Sequence, residues 1–168
     1  MNTLTTLATA ALALTPVHAQ TPAPSGSVYT IEATQGGALV EHDGKITLGD
    51  PAHATRWKIT RDERRQALLI EQDGTANGWA LDEVEPWAPV TVRPLIVFPT
   101  EPPTHPDNEL WHAHPVDQTT DTTDTTVVTI TTAINGWQVV PDGSYTPHLV
   151  AVPETFAPVT YVIKKTDD

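Results

Sequence analysis

The stretches Trp57-Lys58-Ile59, Trp111-His112-Ala113 and Tyr161-Val162-Ile163 decide the fold of this chain. In each of them an aromatic residue stands two positions before a small or aliphatic one, which places both on the same face of a β-strand. Each stretch closes a segment that reads as four short strands. Self-similarity at a spacing of about 40 to 50 residues is typical of repeat architectures, because one such unit cannot bury its own apolar face.

The three repeats also begin alike, with a short apolar strand followed by a turn. First strands are predicted at residues 29–31, 68–70 and 128–130. Turns are predicted at Gly36-Gly37, Asn77-Gly78 and Asn135-Gly136, because Asn and Gly tolerate positive φ. The inner strands are predicted at residues 38–40 and 45–48, 79–81 and 90–92, and 137–139 and 149–152.

Three four-strand units that close into a ring leave few exposed sheet edges. The sequence therefore predicts an all-β protein, a β-trefoil with pseudo-threefold symmetry. The first and last strands of each repeat would form the barrel, and the middle hairpins would cap one end. The residues expected in the barrel core are Ile31, Leu69, Ile130, Trp57, Trp111 and Tyr161, and those expected behind the cap are Leu39, Leu81 and Val139.

The amino terminus is predicted to be a secretion signal. Residues 4–14 form a run of Leu, Ala and Thr that is too short to span a bilayer, and Val17 and Ala19 suit cleavage after Ala19. We therefore expect a signal peptide at residues 1–19, a flexible tether at residues 20–27 and one domain at residues 28–165. The mature protein would be secreted and would not associate with membranes.

The composition narrows the range of partners. The net charge of −12 repels phosphate backbones, so we expect no nucleic acid partner. The chain has no cysteine and would be held together by its core and the closure of its sheet. We expect a monomer.

The sequence shows no set of side chains that would converge on a catalytic site, so we expect no enzyme activity and no cofactor. His112 and His114 share one face of a strand and could reach one metal ion, or could simply face solvent; without a third ligand we predict no metal site. The carboxylates Asp82, Glu83 and Glu85 are interpreted as a solvated loop rather than an acid and base pair.

The tryptophans differ in their predicted roles. Trp57, Trp79, Trp111 and Trp137 fit core positions, whereas Trp87 lies between prolines in an acidic loop and is expected to be exposed. An exposed Trp is a candidate anchor for a sugar or a partner protein.

Two groups of basic residues could enter the pocket of a trypsin-like peptidase. Lys45 follows the turn formed by Glu41, His42, Asp43 and Gly44, and Arg61, Arg64 and Arg65 join the first repeat to the second. A rigid loop that presents a Lys or Arg binds as a substrate mimic at a low ordering cost. The alternative is an ordinary charged surface loop.

Two segments are longer than a hairpin requires. Residues 93–107 carry five prolines, which restrict φ and limit mobility, so this loop is interpreted either as a binding surface or as a cover for the barrel. Residues 117–124 are polar and are interpreted as a solvated linker between repeats.

The strand, Gly and Trp positions quoted above, among them Trp57-Lys58-Ile59, Gly78-Trp79 and Gly136-Trp137, resemble the fungal β-trefoil serine protease inhibitor family of mushrooms typified by cospin. The resemblance covers about residues 26–165 and implies a cysteine-free inhibitor that blocks trypsin-like peptidases through one loop. In that family the reactive loop joins the second and third strands of the first repeat, which implies residues 41–45 here. The expected function is therefore peptidase inhibition. Lys45 and its turn are the favoured contact with the peptidase, and Arg64 and Arg65 are the second candidate. The alternative is a lectin-like, carbohydrate-binding β-trefoil that uses Trp87.

Overall fold

Twelve β-strands make up the repeats, in a computed structural model that describes residues 26–116 and 125–166. The predicted signal peptide at residues 1–19, most of the predicted tether and the predicted linker at residues 117–124 lie outside these described residues. The part of the chain that is described contains no α-helix, only two short 3₁₀ helices at Pro51–His53 and Asp107–Glu109.

Each repeat contributes four strands, as the sequence predicts. The first repeat contains β1 (Ser27–Ala33), β2 (Ala38–His42), β3 (Lys45–Gly49) and β4 (Trp57–Asp62). The second contains β5 (Ala67–Gln72), β6 (Asn77–Leu81), β7 (Ala88–Pro94) and β8 (Trp111–Pro115). The third contains β9 (Thr125–Thr132), β10 (Gln138–Pro141), β11 (Leu149–Val152) and β12 (Thr160–Lys165).

The first and last strands of the repeats form a closed antiparallel ring. The order around the ring is β1, β4, β5, β8, β9 and β12, and β12 pairs back onto β1. The remaining strands form the hairpins β2–β3, β6–β7 and β10–β11. The hairpins pair with one another through Lys45↔Thr91, Ala151↔Ala88 and Thr47↔His148. This arrangement of a barrel and a triplet of hairpins is the predicted β-trefoil.

The three aromatic residues that close the repeats meet in the core. Trp57, Trp111 and Tyr161 are fully buried, together with Trp79. Trp79 packs edge-on against Trp57 at 5.5 Å and against Trp111 at 5.7 Å between ring centroids. The Tyr161 hydroxyl donates to the Val139 carbonyl at 2.8 Å, which links the barrel to a cap hairpin. Burial raises the pKa of Tyr161, so the phenol remains a neutral donor.

Most of the predicted core positions are confirmed, and one is wrong. Ile31 and Ile130 face the barrel interior, and Leu39, Leu81 and Val139 lie behind the cap. Leu69 instead belongs to a small separate cluster with Ala67 and Leu110, and its neighbour Ile70 faces the main core. Successive side chains alternate between the two faces of a strand. The predicted pattern is shifted by one residue here, so it places Leu69 on the face that Ile70 occupies.

The predicted turns are correct at two of three places. Gly36, Gly37 and Gly136 all have positive φ, at 113°, 94° and 72°. Asn77 and Gly78 instead open strand β6, and the turn precedes them at residues 73–76. Gly78 is needed there for space, since a Cβ atom would lie 2.5 Å from Leu95 Cδ1 and 2.6 Å from the Ile70 carbonyl oxygen.

The long loop between β7 and β8 is anchored by a buried carboxylate. Glu109 is fully buried and accepts a hydrogen bond from Arg93 Nη1 at 2.7 Å. Both oxygens of Glu109 also accept from the Ile96 amide, at 3.0 and 2.9 Å. Burial lowers the pKa of Arg93, but hydrogen bonds to Asp82 and Glu109 outweigh it and raise that pKa overall, so the guanidinium stays charged. Glu109 thereby fixes both ends of the loop.

We expect Tyr161→Phe to lower the free energy of unfolding by about 1–2 kcal/mol, because the Val139 carbonyl loses its buried donor. The measurement is urea unfolding followed by tryptophan fluorescence. Tyr145 is fully exposed, so Tyr145→Phe is the matched control and should leave the midpoint unchanged. Equal midpoints for the two variants would contradict this role of Tyr161.

We expect Glu109→Ala to lower the free energy of unfolding by about 3 kcal/mol, because it leaves Arg93 partly buried with one carboxylate fewer. Glu101 is an exposed carboxylate of the same loop, so Glu101→Ala should have little effect. Amide hydrogen exchange should locate the lost protection at Ile96. Unchanged exchange at that amide would show that Glu109 does not hold the loop.

Candidate functional site

The turn between β2 and β3 is a tight two-residue hairpin. His42 pairs with Lys45, and the two residues between them, Asp43 and Gly44, have positive φ of 51° and 74°. Two successive left-handed residues form the turn whose twist matches that of the flanking strands. Glu41 Oε1 accepts from the Gly44 amide at 2.9 Å and fixes the turn from one side. The predicted reactive segment is therefore short and rigid.

Lys45 projects from this turn with an exposed side chain. Its ammonium group makes no hydrogen bond or ion pair with any residue that the structure describes. The backbone of Lys45 is paired on both sides, with His42 in β2 and with Thr91 in β7. A partner would therefore contact Lys45 through its side chain rather than by adding a strand to its backbone.

A shallow recess beside Lys45 contains further ionisable groups. It is lined by His42, Asp43, Lys45, Thr47, Thr146 and His148. His148 Nδ1 lies 3.0 Å from Asp142 Oδ2. Burial raises the pKa of Asp142, but hydrogen bonds from Ser144 and the charge of His148 outweigh it, so that pKa lies below its usual value. Asp142 therefore remains charged in neutral solution and holds His148 at the rim.

The second basic group lies on the turn between β4 and β5. Asp62 Oδ1 accepts from the amides of Arg64 and Arg65, at 3.0 and 3.1 Å. Arg61 is bound to Gln66 and Glu63, whereas the exposed Arg64 side chain has no polar partner within the described ranges. Of this group, Arg64 is the cation that is available to another molecule.

Arg65 connects this turn to the long β7–β8 loop. Its guanidinium donates to the His105 carbonyl and, at 2.9 Å, to Asp107 Oδ1. Between the turn and the loop lies a pocket of about 260 Å³. Its apolar lining includes Leu69, Leu110, Pro102 and Pro103, with Arg61, Asp62, Glu63 and Arg64 among its polar lining residues. The two elements therefore form one continuous surface.

The long loop presents three consecutive apolar residues. Ile96, Val97 and Phe98 are 49, 55 and 45% exposed, although large apolar side chains are usually buried. Phe98 forms an isolated bridge with Thr104, which closes the tip at residues 99–103. The sequence indicated a stiff loop from its five prolines. It gave no sign of the anchor Glu109, because a lone Glu near the end of a loop is ordinarily a solvated residue.

Trp87 lies where the sequence predicts, at the surface. It is 49% exposed, and its ring packs edge-on against Phe156 with 5.1 Å between centroids. Its φ of 69° is unfavourable for a bulky residue, and the Trp87 amide is held by the Ala151 carbonyl at 2.9 Å. Trp137, predicted in the core, is only partly buried and packs against the core from outside.

The two histidines of β8 lie side by side on its outer face. Their ring centroids are 6.1 Å apart; His112 Nδ1 contacts the Gln66 carbonyl, and His114 Nε2 contacts Thr131 Oγ1. Among the described residues, no group of three or more His, Cys, Asp or Glu side chains is arranged to hold a metal ion.

Asp82 serves a structural role. It accepts from Arg93 Nε at 2.6 Å and from the Thr91 hydroxyl at 3.0 Å, so it supports the base of the long loop. Asp82, Glu83 and Glu85 are all exposed. Within residues 26–116 and 125–166, the structure contains no helix long and apolar enough to cross a membrane.

Solved structures confirm the fold. The chain is similar to the designed 3-fold symmetric protein ThreeFoil, with a TM-score of 0.63 and 12% identity over 83% of this chain and 99% of that one. It is also similar to a GlcNAcα1-4Gal-releasing endo-β-galactosidase from Clostridium perfringens (TM-score 0.61, 14% identity), over 84% of this chain and 33% of that one. A third similar structure is a salivary protein from Culex quiquefasciatus of the Cysteine and Tryptophan-Rich family. Its TM-score is 0.56 and its sequence identity is 13%, over 86% of this chain and 97% of that one. At these identities the likeness concerns the fold alone.

The sequence comparison is informative about the family. No curated protein matches the chain. Residues 17–115, more than half of the 168, match the model of the family described as peptidase inhibitor I66. This region includes the β2–β3 turn, the basic β4–β5 turn and the long β7–β8 loop. The chain belongs to the peptidase inhibitor I66 family.

Proposed function

We propose that this protein is a secreted inhibitor of serine endopeptidases with trypsin-like specificity, of the kind typified by cospin in mushrooms. Membership of a peptidase inhibitor family supports inhibition in general. The observation that carries the trypsin-like preference is the free, exposed ammonium group of Lys45 on a tight turn. The apolar run at residues 4–14 and the predicted cleavage site after Ala19 support secretion.

A cation on a rigid turn suits the primary pocket of a trypsin-like enzyme. That pocket has an acidic floor and accepts one Lys or Arg side chain. Because Glu41 and the hairpin pairing already hold the turn, binding orders little more than the Lys45 side chain. Among the residues that the structure describes, Lys45 also has no ion pair that binding would have to break.

Arg64 is the second candidate contact. Its side chain is as free as that of Lys45, and Asp62 fixes its backbone through the Arg64 amide. Arg61 and Arg65 are less suited to enter a peptidase, because both are already bound to neighbouring residues. Arg61 and Arg65 instead hold the turn and the loop that flank Arg64.

Single substitutions distinguish the two contacts. If Lys45 enters the pocket, Lys45→Ala should weaken trypsin inhibition by at least ~2 kcal/mol, which is about 30-fold in the inhibition constant. Arg64→Ala should then change it little. Lys165 is an exposed lysine of β12, and Lys165→Ala is the matched control for charge. The measurement is residual trypsin activity in a titration with each variant.

The outcome of the titration also tests the peptidase class. A large loss for Arg64→Ala and none for Lys45→Ala would move the contact to the β4–β5 turn. Inhibition of papain without inhibition of trypsin, chymotrypsin or subtilisin would replace the serine class by the cysteine class. No inhibition of any of the four at micromolar protein would overturn the proposal.

Carbohydrate binding at Trp87 is the second candidate function. The observation in its favour is an exposed Trp on a strained backbone, braced by the partly exposed Phe156. Strained residues persist where the surrounding structure over-determines them and cluster at binding sites. The free face of an indole ring stacks on the apolar face of a sugar.

On that hypothesis, a glycan array should show binding by the unmodified protein that Trp87→Ala abolishes, because the ring supplies most of the contact. Val84 is an exposed apolar residue of the same loop, so Val84→Ala is the matched control and should bind normally. An array without any reproducible signal would exclude this function.

A further inference from the structure

Val97, the middle one of the three exposed apolar residues of the long loop, has a backbone that is free to pair. The chain neither turns nor bends at Leu95, Ile96 and Val97. The amide and the carbonyl of Val97 form no hydrogen bond with any residue within the described ranges. A residue with both groups free can form an antiparallel hydrogen-bonded pair with a strand of another molecule.

The two residues beside Val97 are held in position. The Ile96 amide is bound by the buried Glu109 carboxylate. On the other side, the Phe98 amide donates to the Thr104 carbonyl at 2.8 Å, and the Thr100 amide donates to the Phe98 carbonyl at 2.8 Å. A segment that is fixed at both ends and unpaired in the middle loses little conformational freedom when it binds.

The side chains of this segment are apolar in an acidic protein. Glu101 is the single charged residue between Pro94 and Thr104, whereas the whole chain carries a net charge of −12. Side chains alternate along an extended segment, so Ile96 and Phe98 point to one side and Val97 to the other. A partner that paired with Val97 would receive Ile96 and Phe98 in neighbouring apolar pockets.

We propose that Ile96, Val97 and Phe98 form a second peptidase contact, which binds in the substrate cleft of a serine endopeptidase whose primary pocket is apolar. The inference rests on the proposed inhibition of serine endopeptidases, but it uses a different loop and a different specificity from Lys45. Such a cleft binds an extended chain by main-chain hydrogen bonds and selects it by an apolar slot, which the ring of Phe98 fits. The loop lies inside the region that matches the inhibitor family.

The experiment titrates the full chain and its variants separately against chymotrypsin and trypsin. The unmodified protein should inhibit chymotrypsin. Phe98→Asp should weaken that inhibition by about 30-fold or more, because a charge replaces the apolar anchor, and Phe98→Leu should retain most of it. Val84→Asp introduces the same charge at an exposed apolar residue elsewhere and should leave chymotrypsin inhibition unchanged.

The trypsin measurements separate this inference from the proposed function. Phe98→Asp should inhibit trypsin as the unmodified protein does, which also shows that the variant is folded, and Lys45→Ala should still inhibit chymotrypsin. Inhibition of trypsin but not of chymotrypsin would overturn this inference alone. Inhibition of chymotrypsin without trypsin would overturn the Lys45 contact and leave the loop contact standing. Equal inhibition of chymotrypsin by Phe98→Asp and by the unmodified protein would also overturn the proposed loop contact.

Discussion

Closure of the six-strand ring around Trp57, Trp111 and Tyr161 is the constraint on which the rest of this structure depends. One repeat alone has an exposed apolar face and two unpaired strand edges. Three repeats in a ring bury the apolar faces and pair the edges at the same time. The three large aromatic residues fill the space at the pseudo-threefold axis, and Trp79 packs between two of them. Because the barrel is held without disulfides, the loops at its surface are free to vary in length and composition.

The long β7–β8 loop shows how such a loop becomes rigid. Prolines restrict φ along it, but they do not attach it to the barrel. The attachment comes from Glu109, whose buried charge would be costly alone and is compensated by Arg93 and the Ile96 amide. Arg65 then joins the neighbouring turn to the far side of the loop. The loop is thus supported from two repeats, although it is an insertion within one.

The sequence predicted the barrel well because its signals are repeated and local. Trp57, Trp111 and Tyr161 each lie at the start of the strand that closes a repeat, with the same alternation, so an error at one repeat is corrected by the others. Leu69 was misplaced because Leu68, Leu69 and Ile70 are all apolar, and an unbroken apolar run does not fix which face is buried. The anchoring of the long loop was not predictable, since Glu109 and Arg93 are 16 residues apart and burial is a tertiary property.

The candidate contacts differ in what each can offer to a peptidase. Lys45 has a free charged side chain, but its backbone is already paired on both sides. Val97 has a free backbone, and its neighbours offer apolar side chains without charge. Lys45 suits a cleft that recognises its substrate by one deep charged contact. The segment around Val97 suits a cleft that recognises an extended apolar chain. The Gly44 carbonyl accepts from the Val92 amide, so the β2–β3 turn that presents Lys45 is tied to the strand that leads into the long loop.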